Sequence, residues 1–96
     1  MPAAGVTFVL IARVPADGVA AFQAYEANVL PLLARHGGVL ERRLRSADQQ
    51  TELHIVWFPS AEQFEGFRND PRRAEHAALL HASAATTELL RLDDVV

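Results

Sequence analysis

The side chains in this sequence that could take part in catalysis or ligand binding include four histidines, one tyrosine and one tryptophan. His76 shares a predicted helical face with Leu79 and Leu80. An imidazole titrates near neutral pH, so His76 could accept a proton from a bound molecule. Tyr25 and Trp57 could position an electron-rich substrate beside it. We therefore predict His76, Tyr25 and Trp57 as candidate catalytic residues.

Further aromatic side chains lie in segments expected to face these three. Phe8, Phe22 and Phe64 would form the wall of a cavity for a flat, apolar molecule, with His81 at its edge. Large aromatics at such positions also serve as ordinary core packing. The sequence therefore predicts a possible small aromatic ligand and leaves open whether these side chains surround it or only each other.

Several other kinds of chemistry lack the residues they need. The chain has no cysteine, which excludes a disulfide framework and a thiolate site. His76 and His81 are five positions apart, rather than the four that place two ligands on one helical face, and no carboxylate completes the set. No G-x-S-x-G, phosphate-binding glycine loop or G-x-G-x-x-G is present. We expect no cofactor and no metal.

Length and charge narrow the class of protein. The chain has 96 residues, half of them hydrophobic, and a formal net charge of −3. We expect a single domain over residues 1–96 and no nucleic acid partner, since a basic surface is missing. The N-terminal MPAAG lacks a basic start, and Arg13 interrupts the apolar run that follows it. We therefore expect a cytoplasmic protein with no membrane contact.

The pattern along the chain predicts six elements in the order βαββαβ. Pro31 should kink or break the first helix near Asn28, and Gly37 should end it. Ser60 and Gln63 form a capping-box signature. The strands are expected at 6–14, 39–45, 53–58 and 86–92, and the helices at 19–36 and from 60 onward, with a second helical piece at 71–82. The fold class is α+β, a ferredoxin-like domain with a four-stranded antiparallel sheet.

The alternation of side chains predicts which side of the sheet each residue occupies. The side under the helices is expected to carry Val6, Phe8, Leu10, Ala12, Val14, Leu40, Leu44, Leu53, Ile55, Trp57, Leu90 and Leu92. The opposite side is expected to carry Thr7, Val9, Ile11, Arg13, Val39, Glu41, Arg43, Arg45, His54, Val56, Phe58, Leu89 and Arg91. This opposite side is too apolar for solvent, so it predicts a homodimer that buries it, at roughly 1,600 Å² in total.

Two stretches of the chain carry a resemblance to a known group. The βαββαβ order, with YEANVLPLLARHGG closing the first helix and VWFPSAEQFEGFRNDP joining the third strand to the second helix, resembles the dimeric α/β-barrel superfamily. Within it, the chain is similar to small bacterial families of unknown function and to the antibiotic-biosynthesis-monooxygenase and NIPSNAP-like groups. The resemblance implies a small-molecule cavity between helices and sheet. Some similar proteins oxidise aromatic substrates without a metal or organic cofactor.

The same resemblance bears on haem degradation. Relatives that degrade haem use an Asn on the first strand, a Trp on the third strand and a His on the second helix. Trp57 and either His76 or His81 could take the last two places, but the first strand has no Asn and offers only Thr7. The resemblance therefore argues against haem degradation in this chain.

Two classes of function follow from the sequence. The first is a cofactor-independent monooxygenase, or a related isomerase, that acts on an aromatic or polyketide-like substrate. The alternative is a non-catalytic module that binds a small ligand or only assembles. Convergence of Tyr25, Trp57 and His76 on one open cavity would favour the enzyme.

Overall fold

The elements follow the predicted order in the computed structural model, which describes residues 5–96. A short 3₁₀ turn precedes the first helix, a second 3₁₀ segment extends it, and the last helical region is divided in two. The bounds are β1 (Val6–Arg13), a 3₁₀ turn (Ala16–Gly18), α1 (Val19–Val29), a 3₁₀ segment (Leu30–His36), β2 (Val39–Arg45), β3 (Thr51–Phe58), α2 (Ala61–Arg68), α3 (Pro71–Ala74), α4 (Ala77–Ser83) and β4 (Thr86–Leu92).

Local sequence signals account for the helix ends. The change from α-helix to 3₁₀ geometry falls at Leu30, next to Pro31, whose ring cannot donate a backbone hydrogen bond. Gly37 ends this segment in the left-handed conformation, with φ of 71°. Ser60 caps α2 by accepting a hydrogen bond from the backbone N–H of Gln63, and Asp70 caps α3 in the same way through Arg72. The predicted stop at Gly37 and the predicted cap at Ser60 are confirmed.

The four strands form one antiparallel sheet in the order β2-β3-β1-β4. The helices cover one side of it, and α1 packs against α4. The main core cluster lies between this side of the sheet and the helices, and joins Val6, Phe8 and Phe58 to Leu33 and Phe64. The predicted ferredoxin-like α+β fold is confirmed. We call the covered side the helix face of the sheet and the other side the open face.

The prediction of faces was right for β1 and wrong for β3. Residues directly opposite each other in an antiparallel pair point to the same side. Phe8 on β1 lies opposite Val56, and Leu10 lies opposite His54. Val56, His54 and Phe58 are therefore on the helix face, while Leu53, Ile55 and Trp57 are on the open face. Apolar character suggested the reverse, because β3 carries Glu52 and His54 on the side that is buried.

The faces of the two edge strands also differ from the prediction. In β2 a bulge between Leu40 and Arg42 inserts one extra residue, so Arg43 and Arg45 reach the helix face. Leu40 was placed correctly, but Leu44 lies on the open face. On β4, Leu89 and Arg91 are on the helix face and Leu90 and Leu92 are on the open face, again the reverse of the prediction.

Within residues 5–96, the helices are too short or too polar to cross a lipid bilayer.

Candidate functional site

A cavity of about 240 Å³ lies between the helix face of the sheet and the helices. Most of its wall is apolar, and six aromatic side chains contribute to it: Phe8, Phe22, Tyr25, Phe58, Phe64 and Phe67. The rings of Phe8 and Phe64 stack with centroids 3.9 Å apart. Leu89 on the edge strand β4 also lines the cavity and is 41% exposed, so the cavity reaches solvent at this edge. Apolar walls with few polar groups are typical of small-molecule cavities.

Four of the seven predicted site residues lie on this cavity. Tyr25, Phe8, Phe22 and Phe64 contribute to its wall, from α1, β1 and α2. Four of the six Phe and Tyr side chains on the wall are therefore ones that the aromatic pattern suggested.

The other three predicted site residues lie elsewhere. Trp57 is on the open face, where a side chain at Gly5 would collide with its indole ring. His76 is the residue before α4 and His81 lies in the last turn of that helix. Tyr25, Trp57 and His76 therefore do not converge on the cavity.

A cluster of buried charges borders the cavity instead. Glu26 on α1 and His54 on β3 both line it, and Glu52 lies two residues before His54 on the same strand face. Each of the three is 3% exposed. The Nε2 atom of His54 lies 2.7 Å from Oε1 of Glu52 and 2.9 Å from Oε2 of Glu26. The hydrogen-bond geometry is met toward Glu52, whereas Oε2 of Glu26 accepts no hydrogen bond among the described residues.

Two arginines of β2 complete this cluster. Arg43 donates from Nε to Oε1 of Glu52 at 2.8 Å and from Nη2 to Oε1 of Glu26 at 2.9 Å. Arg45 donates from Nε to Oε2 of Glu52, also at 2.8 Å. Their side chains are 37% and 36% exposed, so the guanidinium groups form the solvent side of the cluster. The bulge in β2 is what brings both arginines to the helix face.

The two carboxyl groups of the cluster have opposite protonation preferences. Burial raises the pKa of Glu26, the adjacent Glu52 carboxylate raises it further, and the contact with His54 offsets only part of the rise. Burial would also raise the pKa of Glu52, but hydrogen bonds from Glu26, His54, Arg43 and Arg45 outweigh it and hold the pKa at about 2. Glu26 is therefore the carboxyl that can gain and lose a proton.

His54 is held toward its charged form. Burial alone would lower its pKa, but the close contacts with the carboxyl groups of Glu26 and Glu52, and their charges, outweigh burial and raise it. An imidazolium beside Glu26 can donate a proton, and the raised pKa of Glu26 allows that carboxyl to hold one. The pair can therefore store and transfer a proton at the cavity wall.

The three buried side chains also offer ligand atoms within 4.8 Å of one another, a spacing that a divalent cation could use. However, both oxygens of Glu52 already accept hydrogen bonds from guanidinium groups. Arg43 and Arg45 thus supply the positive charge that a cation would supply. We interpret the cluster as a site that holds protons.

A second polar group lies on the cavity wall between α1 and α3. Arg73 donates from Nη2 to the hydroxyl oxygen of Tyr25 at 3.1 Å and from Nη1 to the backbone carbonyl of Arg68 at 3.0 Å. Its guanidinium carbon lies 4.8 Å from the centre of the Phe67 ring, in cation-π contact. Both Arg73 and Tyr25 line the cavity.

Sequence reasoning missed Glu26, Glu52, His54 and Arg73. A signal for the cluster was present in the predicted hairpin, because Arg43-x-Arg45 faces Glu52-x-His54 across the turn at 46–50. Opposite charges on facing strand positions indicate a cross-strand pair. By contrast, no spacing pattern connects Arg73 with Tyr25, which are 48 positions apart.

No protein-family model and no curated protein matches the chain. Solved structures do. SnoaB, a cofactor-independent oxygenase from Streptomyces nogalater, is 25% identical with a TM-score of 0.79, over 97% of this chain and 95% of that one. Rv0793 from Mycobacterium tuberculosis is 17% identical with a TM-score of 0.75, over 97% of both chains. A proposed antibiotic biosynthesis monooxygenase from Caulobacter crescentus is 13% identical with a TM-score of 0.79, over 97% of this chain and 92% of that one.

The similarity to Rv0793 and to the Caulobacter crescentus protein shows the fold of this chain, and SnoaB shares that fold across nearly the full length of both chains. The chain therefore has the ferredoxin-like fold of the antibiotic-biosynthesis-monooxygenase-like proteins, the group that its sequence resembles.

Proposed function

We propose that this protein is a cofactor-independent monooxygenase that acts on a flat aromatic substrate with an acidic proton. The observation that carries the proposal is the position of Glu26, a buried carboxyl of raised pKa whose side chain lines an aromatic cavity. The likeness to SnoaB, itself a cofactor-independent oxygenase, supports the reaction class.

The cavity provides what such a reaction needs from a protein. Apolar walls exclude water and favour a substrate ring over a hydrated molecule. A base must then remove a proton so that the substrate becomes electron-rich enough to reduce oxygen. A carboxyl whose pKa is raised toward the working pH is a suitable base, and Glu26 is in that state.

The reaction can be written for 1-naphthol as a test substrate. Glu26 takes the hydroxyl proton, the naphtholate gives one electron to O₂, and the two radicals join to form a C–O bond at the ring carbon para to the oxygen. The peroxide takes the proton back. Loss of the ring C–H proton and of hydroxide breaks the O–O bond and releases water. The sum is C₁₀H₈O + O₂ → C₁₀H₆O₂ + H₂O, with 1,4-naphthoquinone as product.

Oxygen uptake tests this proposal. The wild type is expected to consume oxygen with 1-naphthol and to form 1,4-naphthoquinone in equal amount. Glu26→Gln should lower the rate roughly 10²- to 10⁴-fold, the usual effect of a positioned base. Glu62→Gln makes the same chemical change on the exposed side of α2 and should leave the rate unchanged. If a panel of naphthols binds to the protein without oxygen uptake, the monooxygenase proposal is contradicted, and the protein is better described as a ligand-binding module.

We also propose that the protein forms a homodimer through the open face. This face is mainly apolar, with Leu90 38% and Leu92 47% exposed, and also carries the charged Arg13, Arg42 and Glu88. Its apolar residues include Val9, Ile11, Leu53, Ile55, Trp57, Leu90 and Leu92. A second copy is the occupant that fits, because an apolar face of four strands is self-complementary under a two-fold axis and matches an interface of roughly 1,600 Å² in total. The correction of the β3 and β4 faces makes this side more apolar than the sequence suggested.

Sedimentation tests the assembly. The wild type should sediment as a dimer at micromolar concentration, and Ile55→Asp should shift it to monomer or aggregate, because a charge would be buried at the interface. Ala78→Asp, on the exposed surface of α4, should keep the dimer mass. A monomeric wild type at micromolar concentration contradicts the proposal.

A further inference from the structure

We propose that Arg73 and Tyr25 form a subsite for a negatively charged oxygen, so that the ligand of the cavity is an aromatic anion, a phenolate or an aryl carboxylate. The inference deepens the proposed function, since it concerns the same cavity, and names the class of molecule that the cavity selects. It rests on hydrogen-bond donors that the described residues leave without acceptors.

The charge of Arg73 is the first observation. Arg43, Arg45 and Arg72 each contact a buried carboxylate, and Arg68 lies 3.7 Å from Glu65. Arg73 has no carboxylate within 4.0 Å in residues 5–96, although it is one of the two arginines on the cavity wall. A positive charge at an apolar cavity without a counter-charge favours a negatively charged ligand.

The donors of Arg73 are the second observation. Its Nη1 and Nη2 atoms have acceptors in the carbonyl of Arg68 and the hydroxyl of Tyr25. Its Nε atom is buried and has no acceptor among the described residues. Buried donors in folded proteins are nearly always paired, so this unpaired donor leaves the positive charge of Arg73 only partly compensated by its own fold.

Tyr25 adds a second free donor beside the first. A guanidinium can only donate, so in its hydrogen bond with Arg73 the Tyr25 oxygen is the acceptor. The phenol proton then remains available for a ligand. Tyr25 is 8% exposed, which keeps water from competing strongly for that proton.

The two polar groups of the cavity therefore have different tasks. Tyr25 and Glu26 are neighbours on α1 and both line the cavity, so a ligand oxygen bound on the cavity side of Arg73 and Tyr25 lies in the same cavity as the proton-holding cluster. In the reaction proposed above, the charge of the deprotonated substrate is on its oxygen. Arg73 and Tyr25 would stabilise that charge, as donors aimed at a developing anion do in other enzymes.

A matched pair of probes tests the subsite without requiring turnover. 2-Naphthoate and 2-naphthamide have nearly the same shape, but only the first is charged at neutral pH. Titration of each into the wild type should show tighter binding of 2-naphthoate. Arg73→Gln should lower the affinity for 2-naphthoate about 10- to 100-fold, the usual effect of losing hydrogen bonds to a charged group. It should change the affinity for 2-naphthamide less than about twofold.

Further variants keep the test decisive. Arg35→Gln, at an exposed arginine that does not line the cavity, should preserve the preference for 2-naphthoate. Tyr25→Phe removes only the hydroxyl and should selectively lower the affinity for 2-naphthoate. This variant provides the test if Arg73→Gln does not fold. Equal affinity of the wild type for the two probes, absence of binding by either, or equal loss of both in Arg73→Gln overturns the subsite.

The outcome can be separated from that of the proposed reaction. A preference for 2-naphthoate that depends on Arg73, with no oxygen uptake by any naphthol, supports the subsite and contradicts the monooxygenase. Oxygen uptake without that preference supports the monooxygenase and contradicts the subsite.

Discussion

Arg45 lies directly opposite Glu52 in the β2-β3 hairpin and donates from Nε to Oε2 of that carboxylate at 2.8 Å. Arg43 donates from Nε to the other oxygen, Oε1, of Glu52, so one buried carboxylate binds two guanidinium groups at the edge of the sheet. Glu52→Gln keeps the size of the side chain and removes the charge. We expect the free energy of unfolding to fall by about 2 kcal/mol, because two partly buried arginines lose their counter-charge. Urea denaturation at pH 7 measures this, and Glu41→Gln on the exposed bulge should change it little.

Acid should unfold the protein through the groups whose pKa is held low. Hydrogen bonds from His36 and Arg72 lower the pKa of Asp70 to about 2, and the cluster holds Glu52 near the same value. A carboxyl with a lowered folded pKa stabilises the fold above its unfolded pKa of about 4, and that stability is lost as the pH falls toward 2. Urea denaturation at pH 5, 3 and 2 should show this decline. Asp70→Asn should reduce its slope, and an unchanged slope contradicts the role of Asp70.

Alkaline pH should destabilise the fold through His54. Its pKa is raised, so its contribution to stability is fully present below the unfolded value of about 6.5 and is lost as the pH rises through the folded value. We expect the free energy of unfolding of the wild type to decline above about pH 6.5. His54→Gln should remove much of this decline, as measured by urea denaturation between pH 6 and pH 9. His81→Gln, on the exposed side of α4, provides the matched control.

Glu26→Gln should separate stability from activity. The raised pKa of Glu26 means that its charged form is unfavourable in the fold, and this cost is present once the pH exceeds the folded pKa. A neutral Gln at this position should therefore leave the thermal midpoint at pH 8 unchanged or raise it, while oxygen uptake is lost. A strongly lowered midpoint would instead show that the Glu26 charge supports the fold.

Ala84 offers a simple stabilising substitution. It ends α4 in the left-handed conformation, with φ of 56°, which disfavours a side chain. Ala84→Gly should raise the free energy of unfolding by about 0.5 kcal/mol. Ala82→Gly lies inside the same helix and should lower it by about 1 kcal/mol. If both variants change the free energy of unfolding in the same direction, this explanation of the end of α4 is contradicted.

The order and type of the elements could be predicted from sequence because each boundary has a local cause. Pro31, Gly37 and Ser60 act on their own neighbours, and the structure places helix changes at all three. The faces of β3 could not be predicted in this way, since both sides of that strand carry apolar residues. The buried side of β3 carries Glu52 and His54. These two side chains can be buried only because Arg43 on β2 and Glu26 on α1 contact them.

Part of the candidate site was predictable for the same reason. Tyr25 and Phe22 belong to the predicted first helix, and they line the cavity. Trp57 was assigned to the cavity through the face of its strand, so the error in the face became an error in its position. Arg73 depends on how α3 meets α1, a long-range contact without a local signal.

The bulge at Glu41 also affects how this chain should be aligned with others. Regular pairing of the same residues onward from Leu40 would bring Arg42 opposite His54 and Leu44 opposite Glu52, so the buried charges would lose the arginine opposite Glu52. A homologue that lacks only the residue at 41 would instead keep Arg43 and Arg45 where they are. A one-residue gap at the bulge therefore preserves the charge cluster, whereas a gap between 42 and 45 moves at least one arginine out of its place.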